Sequence, residues 1–236
     1  MKQICVISFL FILMLFSCTK TLIGDEGKQD EDIYLNYQTK TDLELPFDEE
    51  WYVFVGGRTH QDGGHHFITR GTGQRYAYDL AIVIDGSSFS GDSSKNENHY
   101  CFGKRLNAPA NGKIIAMENN IDDNYLSGIV NDNINDSNLA GNYILIDHFN
   151  GEYSLLAHLK KGSVLVNLGD IVAKGQEIGQ AGNSGNSTGP HLHYHLQNSP
   201  NYLNGIGLPA QFRNYYEDDT LVDLGEPVKS QFIRKN

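Results

Sequence analysis

Residues 143–159 read YILIDHFNGEYSLLAHL, a stretch in which two apolar runs flank the dipeptide Asn150-Gly151. Asn-Gly between two such runs is a strong turn signal of a β-hairpin. The sequence therefore predicts an antiparallel hairpin with arms from Tyr143 to His148 and from Glu152 to Leu159. The hairpin indicates the fold class, because the runs before and after it have similar length and composition and also predict strands.

The runs around the hairpin are short, rich in β-branched and aromatic residues, and separated by glycine-containing turns. They include Trp51 to Val55, Ala77 to Ile84, Lys113 to Met117 and His191 to Gln197. No window shows the sustained 3.6-residue period of an amphipathic helix. We therefore expect an all-β fold, a barrel-sandwich or two-sheet antiparallel domain with long loops.

Two polar stretches interrupt these runs, 86–98 and 119–142, and both are rich in Asn, Asp or Ser. The simplest interpretation is that they form solvated surface loops. The functional alternative is a lip over a substrate groove, since loops on a rigid scaffold often carry recognition. The residues alone leave both interpretations open.

The first fifty residues predict targeting rather than a folded core. In residues 1–18 one lysine precedes an apolar run too short to span a bilayer, as in a secretory signal peptide. The run ends at Cys18 and resembles the lipobox of bacterial lipoproteins, which implies a lipid anchor at that cysteine. Residues 19–50 are expected to form an acidic tether, because 25–50 hold ten acidic residues and two lysines.

The net charge of −11 argues against non-specific nucleic-acid binding, which needs a basic surface. Beyond the tether, residues 51–200 are expected to form the main domain. Residues 201–236 contain several aromatic side chains and are expected to form a C-terminal extension that packs on the core.

Histidines are concentrated in the segment STGPHLHYH, residues 187–195. Because residues i and i+2 of a strand share a face, His191 and His193 are expected to stand side by side. Neutral imidazole is the commonest metal ligand in proteins, and alternating histidines after a glycine-rich turn favour a metal site over a structural role.

Asp79 is the best carboxylate candidate, because it lies inside the otherwise apolar run 76–83. A charge there is costly unless it is paired, hydrogen-bonded or metal-bound. An ion pair with Arg75 or Arg70 is one explanation. Nearby histidines upstream, at 60, 65 and 66, favour the metal.

From about Trp51 to Gln197 the chain resembles the lysostaphin-type zinc metallopeptidases, which cut the peptide part of bacterial peptidoglycan. The segments that carry this resemblance are QRYAYD (74–79), APANGKI (108–114), GNYILIDH (141–148), YSLLAHL (153–159), GDIVAKGQEIG (169–179) and GNSGNSTGPHLH (182–193). The last segment is the most specific. The first belongs to a subset of the family with a Gln-Arg-Tyr-Ala-Tyr-Asp form of the first metal motif.

The resemblance implies a Zn²⁺ site with Asp79 and His193 as ligands. It also implies that His158 and His191 are catalytic and lie beside the metal-bound water without ligating the metal. The position of the usual first ligand is Arg75 here, so the third ligand is expected upstream. His66 is the first choice, His65 the close alternative and His60 the outsider.

The expected function is a zinc metalloendopeptidase that cleaves peptide cross-links of peptidoglycan in the cell envelope or periplasm, with the membrane reached only through the lipid anchor. The alternative is a catalytically silent member of the same fold that binds cell-wall peptide or regulates another wall hydrolase. A third hypothesis, a biotinyl- or lipoyl-type carrier domain with Lys174 in a hairpin, explains none of the histidines.

Overall fold

A computed structural model describes residues 34–59, 62–64, 73–135 and 137–236 of the chain. The expected signal peptide, Cys18 and the upstream histidines His60, His65 and His66 lie outside these residues. Within them, no helix is both long and apolar enough to cross a membrane.

Short antiparallel strands make up nearly all of the regular structure. The strands are β1 (Trp51–Val55), β2 (Tyr78–Ala81), β3 (Arg105–Asn107), β4 (Gly112–Glu118), β5 (Asn142–Asp147), β6 (Tyr153–Leu159), β7 (Ile171–Val172), β8 (Glu177–Gln180), β9 (Leu192–Gln197), β10 (Gly207–Leu208), β11 (Phe212–Glu217), β12 (Thr220–Gly225) and β13 (Phe232–Lys235). The described helical structure is a turn at 34–35 and a 3-10 turn at Asn96–Asn98. The predicted all-β class is confirmed.

Eleven strands form one sheet in the order β12-β11-β13-β1-β2-β9-β6-β5-β4-β7, with β10 paired to β9. The remaining strands, β3 and β8, form a separate two-stranded sheet. The segment expected as a C-terminal extension supplies β10 to β13, and β13 pairs with β1. Strands β2, β9 and β6 are neighbours at the centre of the large sheet, where both faces are covered.

The predicted hairpin is formed by β5 and β6, in which Leu145 lies opposite Leu155. Its turn places Phe149 and Gly151 at positive φ, 62° and 84°. The run reads as continuously apolar because both faces of the hairpin are buried. Ile144 belongs to the main core, whereas Leu145 and Leu155 form a second cluster with Ala140 and Ala157 on the opposite face.

The expected acidic tether differs from the structure in its second half. Leu43, Leu45 and Phe47 are fully or almost fully buried, and Phe47 stacks on Trp51 with ring centroids 4.8 Å apart. The neighbouring acidic residues pair with lysines: Asp42 with Lys174 and the half-buried Glu44 with Lys235. Apolar and acidic residues alternate in this segment, which makes it amphipathic, and a count of charges does not detect that pattern.

Glu152 ties this N-terminal segment to the hairpin. Its side chain is fully buried and accepts hydrogen bonds from the hydroxyl of Tyr37 at 2.7 Å and from the backbone N–H groups of Lys40 and Thr41, both at 2.8 Å. The buried carboxylate also raises the pKa of Tyr37, after burial itself, which is the larger cause. The hydroxyl of Thr41 donates to it as well, so one carboxylate satisfies four donors of the segment.

Glu152→Ala is expected to lower the free energy of unfolding by about 2–5 kcal/mol, because each buried donor left unpaired costs about 1–3 kcal/mol. Urea denaturation followed by tryptophan fluorescence measures the loss. Glu177→Ala is the matched control, since Glu177 is in a surface ion pair with Arg105 and such pairs contribute about 1 kcal/mol or less. Equal losses in the two variants would contradict the role of Glu152.

Candidate active site

The central strands bring four of the five predicted site residues together. In the register of β2 and β9, Asp79 lies opposite His193, and Asp79 Oδ1 is 3.0 Å from His193 Nδ1. His191 precedes β9, and its Nε2 is 3.6 Å from the same carboxylate oxygen. The His158 ring centroid is 4.9 Å from that of His191 and 5.7 Å from that of His193. The fifth predicted residue, His66, lies outside the described residues.

Arg75 does not provide the ion-pair explanation for Asp79 within the described part of the chain. The buried guanidinium of Arg75 lies over the rings of Tyr34 and Tyr76, 5.6 Å and 5.2 Å from their centroids. Asp79 Oδ1 instead lies 3.6 Å from His191 Nε2 and 3.0 Å from His193 Nδ1. Arg70 lies outside the described residues.

His158 is held by the backbone around it. It adopts a positive φ of 60° at the end of β6, a conformation that non-glycine residues seldom take and that is common at functional sites. Its Nδ1–H donates to the carbonyl of Ser184 at 2.8 Å, which leaves the lone pair on Nε2. Burial, and then the neighbouring His191 and His193, hold the pKa of His158 well below its usual value, so the ring is neutral.

The surroundings of His191 shift its pKa in the opposite direction to that of His158. Its Nδ1–H donates to the carbonyl of Gly189 at 2.8 Å, and its Nε2 faces Asp79. Burial lowers the pKa of His191, but the hydrogen bond and charge of Asp79 outweigh burial and raise it above the usual value. Two adjacent imidazoles are therefore biased toward opposite protonation states, as an acid–base pair requires.

Asp79 and His193 fit two corners of a zinc site. Zinc bonds of 2.0–2.2 Å in tetrahedral geometry place donor atoms roughly 3.4 Å apart. The observed 3.0 Å between Oδ1 and Nδ1 is close to that separation. A catalytic zinc site normally has three protein ligands. Among the described residues, no group of three or more histidine, cysteine or acidic side chains is placed to hold a metal.

Cavities open on both sides of the Asp79–His193 pair. One, of about 300 Å³, touches His158 and His193 and has an apolar wall that includes Leu139, Leu155 and Tyr202. The other touches Asp79 and His191 and has hydroxyl groups in its wall, from Ser127 and Thr188. An extended substrate crossing the pair would meet an apolar wall on one side and hydrogen-bonding groups on the other.

Residues 100–205 match the model of peptidase family M23. This M23 region contains His158, His191 and His193. It supports the resemblance to the lysostaphin-type superfamily. The segment 74–79, with Asp79, lies outside the match, so the motif form of that segment stays a prediction.

The curated relatives match this chain only over short segments, and several of them are named as endopeptidases. The peptidoglycan DD-endopeptidase ShyA of Vibrio cholerae is 51% identical over 57 residues, which cover 24% of this chain and 13% of ShyA. The DD-carboxypeptidase/endopeptidase Mpg of Neisseria meningitidis is 38% identical over 68 residues, which cover 29% of this chain and 15% of Mpg. The matches thus span less than a sixth of the length of these relatives.

Solved structures of similar chains include peptidases. A zinc-containing peptidase from Vibrio cholerae has 20% sequence identity and a TM-score of 0.43, covering 72% of this chain and 40% of that chain. The catalytic domain of lysostaphin from Staphylococcus simulans has 21% identity and a TM-score of 0.36, covering 68% of this chain and 88% of that chain.

The sequence did not reveal that the polar stretch 119–142 contacts the loop at 183–187, which precedes the site histidines. Asn124 is fully buried, and its side-chain amide donates to the carbonyls of Asn183, Gly185 and Ser187 at 2.7–3.0 Å. These carbonyls belong to the loop whose Ser184 carbonyl binds His158. At least this part of the stretch is therefore a support for the site and not a solvated loop.

Two further residues of β9 were not predicted as part of the site. His195 Nδ1 is 3.0 Å from His193 Nε2, and His195 Nε2 is 2.9 Å from Gln197 Oε1. Burial, and then the neighbouring His193, lower the pKa of His195 to about 3, so its ring is neutral. The signal for both was present in the sequence, since residues 193, 195 and 197 share one face of the strand.

Proposed function

We propose that this protein is a zinc-dependent metalloendopeptidase that cleaves peptide cross-links of bacterial peptidoglycan. The observation that carries the proposal is the convergence of Asp79 Oδ1 and His193 Nδ1 at 3.0 Å, with His158 and His191 beside them. The M23 match and the names of the curated relatives support a cell-wall endopeptidase.

In this proposal Asp79 and His193 hold the metal together with one upstream histidine, with His66 ahead of His65 and His60. Bound zinc supplies an acidified water and a Lewis acid for the scissile carbonyl. Nε2 of His158 takes the proton of the attacking water, because its Nδ1 is engaged by Ser184. Nε2–H of His191 donates to the carbonyl oxygen as negative charge develops there.

The cellular setting follows from the same proposal. A peptidoglycan substrate requires export, and the predicted signal peptide would supply it. Lipid at Cys18 would keep the domain at the envelope without a membrane-spanning segment. The N-terminal segment packs onto the domain from about Tyr37, so the tether would be shorter than 19–50.

The second candidate is a catalytically silent member of the fold that binds wall peptide or regulates another hydrolase. One observation favours it: the described residues supply two metal donors, one fewer than a catalytic zinc site needs. If no upstream histidine reaches Asp79 and His193, the metal centre is incomplete. The carrier-domain hypothesis gains no support from the M23 match.

Digestion of purified peptidoglycan by the full chain tests the proposal. Cross-linked muropeptide dimers are expected to fall and monomers to rise, as seen by chromatography and mass spectrometry. A zinc chelator should abolish the conversion and added Zn²⁺ should restore it, because the chemistry depends on the metal. A zinc-loaded protein that sediments with peptidoglycan but leaves the dimers intact would identify the silent binding module instead.

A further inference from the structure

A chain of hydrogen bonds runs along one face of β9, away from the candidate metal site. It starts at His193 Nε2, passes through both ring nitrogens of His195 at 3.0 Å and 2.9 Å, and reaches Gln197 Oε1. The side-chain amide of Gln197 then donates to the carbonyl of Ser199. All three side chains are buried, with exposures of 7%, 2% and 0% for His193, His195 and Gln197.

The last hydrogen bond of this series, from Gln197 to Ser199, determines which atom donates in each of the others. Since the Gln197 amide nitrogen donates to Ser199, its Oε1 must accept, and His195 Nε2–H is the donor. A neutral His195 then has an acceptor at Nδ1. That acceptor receives the Nε2–H of His193, so a neutral His193 has its lone pair on Nδ1, which faces Asp79.

The consequence is a pair of facing acceptors. The His193 Nδ1 lone pair and the Asp79 carboxylate oxygen lie 3.0 Å apart, where they repel unless a cation lies between them. A ligating histidine commonly donates its other ring N–H to a second group that fixes its tautomer and orientation. Here that group is an imidazole, oriented in turn by an amide.

Two glycines leave room for this arrangement. A Cβ on Gly205 would come within 2.7 Å of Gln197 Cδ, and a Cβ on Gly73 would come within 3.0 Å of Gln197 Oε1. A side chain at either position would displace Gln197. The close fit around the amide group fixes its position, and the hydrogen bond to Ser199 fixes which end faces His195.

We propose that His195 and Gln197 are positioning residues that hold His193 as the Nε2–H tautomer and present its Nδ1 to the metal. This inference rests on the proposed zinc site and names the residues that prepare it. Both residues act on the proposed metal site through His193, although His195 also borders the cavity beside His158 and His193.

Gln197→Met tests the inference, because methionine has a similar size but lacks the amide acceptor. Zinc affinity of the full chain is measured by competition with a chromogenic chelator, using Zn²⁺ alone. We expect affinity to fall about 10–100-fold, the usual effect of removing an outer hydrogen-bond partner. Gln197→Glu, which keeps an oxygen acceptor toward His195, should retain affinity within about threefold of the unsubstituted protein.

A second measurement needs no substitution. Nitrogen-15 NMR of histidine-labelled, metal-free protein reports which ring nitrogen carries the hydrogen. The inference predicts the hydrogen of His193 on Nε2 in the unsubstituted protein and a change of that tautomer in Gln197→Met.

The outcomes distinguish a failure of the proposed zinc site from a failure of the positioning role of His195 and Gln197. If the unsubstituted protein binds no Zn²⁺, the proposed function fails, and the tautomer measurement then decides on the positioning role alone. If it binds Zn²⁺ while Gln197→Met binds equally well, or if His193 carries its hydrogen on Nδ1, the positioning role is overturned and the zinc site stands.

Discussion

His193→Ala is expected to remove bound zinc and peptidoglycan cleavage together. His193 is the residue that connects the parts of the site: its Nδ1 faces Asp79 at 3.0 Å and its Nε2 continues into the hydrogen-bond chain along β9. Removing one of three ligands leaves too few donors for a catalytic zinc ion. Elemental mass spectrometry should find about one zinc per chain in the unsubstituted protein and near none in the variant.

His99→Ala is the matched control for zinc content. The ring of His99 borders the cavity beside Asp79 and His191, but its Nε2 is engaged by the Ser93 carbonyl at 2.9 Å and it packs against Phe89. It should therefore keep its zinc. A His193→Ala protein that retained both zinc and cleavage would exclude His193 as a ligand.

His191→Ala is expected to keep zinc and lose most turnover. Its Nε2 lies 3.6 Å from Asp79 Oδ1, and it is not required as a ligand in the proposed site. Removing a positioned donor for developing charge typically costs about 10²–10³ in turnover, and a general acid or base about 10²–10⁴. Zinc content and the initial rate of muropeptide cleavage, measured on the same preparation, separate these effects.

The double variant with His158→Ala sharpens the test. If the two imidazoles act as a unit, the double loss should be close to that of one single variant and far below the product of both. Full activity of His191→Ala, with zinc unchanged, would remove His191 from the mechanism.

Much of the fold was predictable because its signals are local. The Asn150-Gly151 turn between two apolar runs gave the β5–β6 hairpin, and other short runs gave the all-β class. The order of strands was not predictable, because β2, β9 and β6 become neighbours through pairings between residues more than thirty positions apart. Periodicity along the chain carries no information about such pairings.

In the candidate site, too, local features were predictable from the sequence and long-range contacts were not. Asp79 stood out as a charge in an apolar run, and the alternating histidines indicated one face of a strand. Both inferences concern local pattern, and the structure brings these residues together. The support from Asn124 depends on tertiary contacts that no repeat or spacing encodes, and the predicted upstream ligand lies outside the described residues. His195 and Gln197 were overlooked, although the alternation of β9 continues through them.

Charge counting misjudged the segment before β1. Leu43, Leu45 and Phe47 alternate with acidic residues and enter the core, while Glu152 binds the backbone just upstream. A net negative charge describes the exposed face of such a segment but not its buried face. Hydrophobic alternation is therefore the better guide to where the tether ends.

Anomalous diffraction at the zinc absorption edge, from crystals of the zinc-loaded full chain, tests the central claim most directly. The account predicts one strong peak about 2.0–2.2 Å from both Asp79 Oδ1 and His193 Nδ1, completed by one histidine from positions 60, 65 or 66. The same map would name that third ligand. A peak bound by His158 and His191 instead, or no peak after zinc is supplied, would contradict the proposed metal centre.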